Sequence, residues 1–114
     1  MLVVLGLGLG SGCEGEPGTS TPDASFCDDA PQPVTWDNFG RSFVTERCQA
    51  CHASATVDRQ GAPEAVFFDT EEDVWRWADR VVAVAGPGEP LMPPQGGVEA
   101  DDRYLLEVWL TCGG

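Results

Sequence analysis

Lysine is absent from this chain and histidine occurs once, so its positive charge rests on six arginines set against 19 acidic side chains. The formal net charge is −13 in 114 residues, which argues against nucleic acid as a partner, since that needs a basic face. One histidine leaves no pair of imidazoles from which to build a metal site. Long apolar runs are missing too: the longest, at residues 1–10, falls short of the roughly 20 residues of a spanning helix. No internal repeat is present. A chain of this length has room for one small domain, which gains from a cofactor or disulfide that completes its core. Five cysteines point to an oxidising compartment.

Two of them stand in Cys48-Gln49-Ala50-Cys51-His52, with two thiols one helical turn apart and an imidazole beside the second. This is the attachment pattern of a c-type haem. Each thiol adds across one vinyl group of the same haem, and the neighbouring histidine binds the iron. A structural zinc module or a redox dithiol are the alternatives. Zinc calls for about four ligands at set spacings, and the chain has no second C-x-x-C; a thioredoxin-like dithiol needs a βαβ context that the flanks do not offer. With His52 committed, a bis-histidine haem within one chain is excluded. Met1 and Met92 are the only thioethers, and Met1 lies in a segment expected to be removed. Met92 is therefore the candidate sixth ligand, a gap-filling core methionine being the other reading. Arg59, Arg76 and Arg80 are candidates for neutralising haem propionates.

Residues 1–12 are read as a signal peptide of lipoprotein type, resembling the apolar region cleaved before a lipid-bearing cysteine, here Cys13. No basic residue precedes that run, which a start placed downstream of the true one would explain. Residues 13–34 are rich in Gly, Pro, Ser, Thr and acid, a composition that predicts a flexible tether. The folded domain is expected over residues 35–114. Thr35 can cap a first helix whose Trp36, Phe39, Phe43 and Val44 fall at helical spacing, with Gly40 in the same stripe. That helix is expected to run straight into the haem motif. Residues 53–69 are turn-rich. Thr70 and Asp73 form a capping-box pattern ahead of a helix with Val74, Trp77, Ala78, Val81 and Ala85 on one face, stopped by Gly86-Pro87-Gly88. Leu91-Met92-Pro93-Pro94 is a stiff loop, and Gly96-Gly97 lets the chain turn. A last helix is predicted over about Asp101 to Thr111, with Leu105, Val108, Trp109 and Cys112 on one stripe and acids in its first turn.

Taken together, the haem motif near the end of a first helix, the Met-Pro-Pro loop and the final amphipathic helix resemble a monohaem class I cytochrome c over about residues 35–112. Val-Thr-Trp-x-x-Phe-Gly ahead of the motif and Asp-Asp-Arg-Tyr-Leu-Leu-x-x-Trp-Leu-x-Cys-Gly at the end look like lipoprotein-anchored envelope cytochromes of predatory soil bacteria. The resemblance implies a small all-α fold packed around one covalent haem c. It implies that Gly40, eight positions before Cys48, sits where the first and last helices cross, and that the Pro63 carbonyl accepts the second ring proton of His52. In such a fold Cys27 and Cys112 come near that crossing. With Cys13 lipidated and Cys48 and Cys51 on haem, they are each other's only internal partner, and a disulfide is expected.

The function so implied is electron transfer, not enzymatic turnover, by a monomer facing the periplasm and tethered to a membrane of the bacterial envelope. A basic docking surface is expected on its redox partners, which charge steering would bring in quickly. A peroxidase or gas sensor with Met92 detached is an alternative, as is the zinc module.

Overall fold

The structure is a computed structural model that describes residues 24–30 and 33–113. Cys13, the signal segment and most of the expected tether lie outside the described residues. All regular secondary structure among the described residues is helical, and the fold class is all-α. No helix among them is long and apolar enough to cross a membrane.

A capping box opens the first folded stretch. Thr35 Oγ1 accepts from Asn38 N at 3.1 Å, and Asn38 Oδ1 accepts from Thr35 N at 2.8 Å, so two otherwise orphaned donors are satisfied together. The turn that follows, Trp36–Gly40, is π-helical: Gly40 N bonds back to Thr35 O at 3.0 Å. Its buried glycine meets the last helix face to face, for a Cβ at Gly40 would lie 2.7 Å from the Trp109 ring. Close approach, rather than helix propensity, explains a glycine that costs about 1 kcal/mol relative to alanine in a helix interior.

The first helical run is not straight. After α2, Arg41–Arg47, the backbone kinks at Cys48 (φ −121°, ψ −39°) before α3, Gln49–His52. Cys48 N still reaches Val44 O at 3.0 Å, so the motif stays attached to the helix that packs the core.

A second capping box, Thr70 with Asp73, starts α4, Glu71–Arg76. Sequence spacing predicts one helix onward to Ala85, whereas the chain divides it at Trp77 (φ −114°, ψ 17°) into α4 and α5, Ala78–Ala85. Trp77 N bonds three residues back to Val74 O at 3.0 Å, a tightening that shifts the register. Trp75 and Trp77 consequently both lie against the core, which a single stripe would not allow. Gly96 and Gly97 take left-handed φ values of 70° and 81°, as the turn before the last helix requires.

That helix, α6, spans Ala100–Cys112 and is the centre of the packing. It meets α5, the Trp36–Gly40 turn and, at its end, the short helix α1, Ala24–Asp28. Its buried face is wider than the expected stripe: Leu106, Leu110 and Arg103 join Val108 and Trp109, because neighbours cover it from two sides. Trp109 is fully buried, with Trp36 and Trp75 at ring-centroid distances of 5.9 and 5.7 Å. Burying such a side chain stabilises by about 1.5–3 kcal/mol. With Val44, Val74, Val81 and Phe68 it forms one core.

Residues 24–30, read from sequence as tether, form an ordered helical turn. Cys27 is joined to Cys112 by a disulfide, and Phe26 packs edge-on against Tyr104 at 6.1 Å. Those two contacts supply what composition alone could not.

Candidate functional site

Cys48, Cys51 and His52 lie together at the end of the first helical run, and the chain that follows wraps back over them. Phe68 N donates to His52 O at 2.6 Å, and Gln49 Nε2 donates to Phe68 O at 3.0 Å. Thr56 Oγ1 donates to Gln49 O at 3.1 Å. Farther out, Ser54 donates to Asp69 through both its backbone N–H and its hydroxyl; these two bonds hold the Asp69 carboxyl below its ordinary range.

The His52 ring is held at both ends of this wrap. Phe68 packs on it at 5.0 Å between centroids, and Nδ1 lies 3.1 Å from the Val66 carbonyl oxygen. A carbonyl can only accept, so Nδ1 carries a proton, and in the neutral ring Nε2 bears the free lone pair. Such a second-nitrogen bond fixes the tautomer and aim of a metal-binding histidine. The acceptor is Val66, not the expected Pro63. Pro63 O is taken instead by Val66 N at 3.0 Å and Arg59 Nη2 at 3.0 Å, because a turn closes over residues 63–66 and carries the Val66 carbonyl inward.

Arg59 ties the loop together through Ala53, Ala62, Pro63 and Val66 carbonyls. Four of its five N–H donors are engaged in this way. Arg76 and Arg80 are exposed.

Both motif cysteines are free thiols. Cys48 packs against the core, and burial pushes its thiol up to about 12, so at neutral pH it stays protonated. An attacking dithiol must be a thiolate. Among the described residues no three His, Cys, Asp or Glu side chains converge as a metal site would require. A thioether sulfur, in contrast, carries no charge and suits an apolar pocket.

Met92 is positioned by other elements. Its N–H and that of Leu91 both donate to Val84 O at 2.8 Å; its carbonyl accepts from Arg103 Nη1 at 2.8 Å. Arg103 Nη1 also holds Ala85 O, at 2.7 Å, so a nearly buried guanidinium on α6 joins the end of α5 to the methionine loop. The Met92 side chain is 38% exposed and Leu91 70%. A methionine that merely fills a core gap would be buried.

Sequence reasoning missed Val66 and Arg103. A backbone carbonyl leaves no trace in residue type. Arg103 did leave one, for it stands three and seven residues before Leu106 and Leu110 on the same helical face. No protein-family model, curated protein or solved structure matches this chain.

Proposed function

We propose that this chain is a monohaem electron carrier of the class I cytochrome c type, tethered by lipid at Cys13 to a membrane of the bacterial envelope. Cys48 and Cys51 would hold the haem by thioether bonds, and His52 Nε2 and the Met92 sulfur would hold its iron. The observation that carries the reading is His52: its Nδ1 proton goes to Val66 O at 3.1 Å, which leaves Nε2 available beside two unpaired thiols. Gly40 against Trp109 where the Trp36–Gly40 turn crosses α6, and an exposed Met92 on a braced loop, support it further.

When bound, haem c supplies a reversible one-electron couple between ferric and ferrous iron. The chain's own residues do the rest. The two cysteines keep the group from dissociating, Val66 and Phe68 hold the imidazole in one orientation, and the core around Trp109 and Val44 excludes water. Arg103 and the Val84 carbonyl hold the Met92 backbone, so that its sulfur would hold the iron and keep oxygen and peroxide from it. His and Met ligation favours a higher potential than two nitrogen ligands. The all-α packing suits a class I cytochrome fold, and the acidic surface suits basic redox partners.

Acid-organic extraction of protein matured in a haem-attaching host tests the reading. The haem is expected to stay with the polypeptide, and Cys48→Ala with Cys51→Ala is expected to yield no stable holoprotein. Extraction that strips all haem from the matured wild type would overturn the thioether assignment.

A further inference from the structure

We propose that Arg59 is a positioning residue for His52: by sharing the Val66 carbonyl with the imidazole, it limits how strongly Nε2 donates to a bound iron and so raises the reduction potential. The inference rests on the haem reading above. Arg59 gives Nη1 to Ala53 O at 2.8 Å, Nε to Ala62 O at 3.3 Å, and Nη2 to Pro63 O at 3.0 Å and Val66 O at 2.9 Å. The last of these oxygens also accepts from His52 Nδ1 at 3.1 Å.

A carbonyl oxygen has two lone pairs and can serve both donors. Density drawn toward the guanidinium, however, is not available to the imidazole. When the ring N–H meets a strong acceptor, the opposite nitrogen becomes a more basic ligand. A cation on the same oxygen weakens that acceptor, Nε2 donates less, and the ferrous state is favoured. The charge itself works in the same direction, because a fixed cation nearby disfavours the extra positive charge of ferric iron. Asp69 lies within reach of its charge but makes no salt bridge with it; the ion pair found among the described residues is Arg41 with Asp37. Arg59 is thus more than a loop staple, since one of the four carbonyls it holds is the one that orients the histidine.

Wild type, Arg59→Lys and Arg59→Gln, each matured with haem, are compared by redox titration and by the ¹⁵N resonance of His52 Nδ1 in the diamagnetic ferrous form. Arg59→Gln is expected to lower the midpoint potential and shift the Nδ1 resonance toward imidazolate character. Arg59→Lys is expected to recover part of the potential, through its charge, without restoring the resonance. Variants that match the haem-loaded wild type in both readouts overturn the role of Arg59 alone, as does a lysine variant that restores both. A wild type without covalent haem overturns the function reading and this inference together. Should Arg59→Gln fail to accumulate, couplings across hydrogen bonds in ferrous wild type decide: the Val66 carbonyl carbon is expected to couple to both His52 Nδ1 and an Arg59 Nη. Coupling to His52 alone overturns the proposal.

Discussion

Around His52 the supporting bonds stay within one stretch of chain, residues 49–69, where Gln49, Arg59, Val66 and Phe68 close a loop on themselves. Met92 depends instead on a different element, through Arg103 on α6 and the Val84 carbonyl on α5. The first arrangement needs little beyond its own loop; the second holds only while α5 and α6 stay docked. The two proposed ligands should therefore fail separately, Met92 before His52. Local opening of this kind follows the parts of a fold that depend on docking rather than on their own bonds.

The largest expected effect comes from loosening α6 at its end. Cys27 and Cys112 are 85 residues apart, and a loop of that size corresponds to about 4.5 kcal/mol in the chain-entropy description. That figure is an upper one where haem already restrains the unfolded chain. Denaturant unfolding with and without reductant should show the loss, and thiol titration of the unfolded, unreduced mature protein should find no free thiol. The Met92 signals should weaken before those of His52.

Arg103→Met breaks the comparison at its centre. The carbonyls of Ala85 and Met92 lose a charged donor, for a cost of about 3 kcal/mol, read from the unfolding midpoint. Amide exchange should rise across residues 86–97 and stay unchanged at Phe68, whose N–H belongs to the His52 side. Equal exchange on both sides would mean that the two supports are one.

Gly40→Ala places a methyl 2.7 Å from the Trp109 ring. Overpacking of this kind costs about 1–3 kcal/mol, and because the crossing underlies both sides, both should loosen together. The same unfolding measurement checks it.

The smallest effect belongs to Ser54→Ala. Ser54 is the main cause of the depressed Asp69 carboxyl, so the variant should move that group back toward its ordinary value in an NMR titration. A depressed native pKa contributes stability above the unfolded value, lost as pH falls through the native one. The wild type should therefore hold its margin over Ser54→Ala near neutral pH and lose it in acid, with no change at Met92.

Legibility in the sequence followed the same division. Thr35 as a cap and Thr70 with Asp73 as a capping box were legible where polar residues lead an apolar run, since local chemistry of that kind is written in residue order; the reciprocal Asn38 bond to Thr35 was not read. Gly40 was legible through the resemblance, which put a small residue at the crossing. The break at Trp77 was not, because Val74, Ala78, Val81 and Ala85 keep helical spacing across it and only tertiary packing of two tryptophans divides the turn. Val66 was hidden because a carbonyl belongs to every residue; Pro63 was named through the resemblance. Arg103 was overlooked because charge suggested solvent, although its spacing to Leu106 and Leu110 placed it on the buried face. Residues 24–30 have the composition of a tether, so their helical turn was missed even though the disulfide that joins them to Cys112, 85 positions away, was expected.

The ferric absorption spectrum of the matured wild-type protein tests the His52 and Met92 ligation most directly. A low-spin haem with the weak charge-transfer band of methionine sulfur on iron is expected, the band disappearing in Met92→Ala together with a fall in potential. A high-spin spectrum in the wild type, a band that survives in Met92→Ala, or no haem band at all would contradict it.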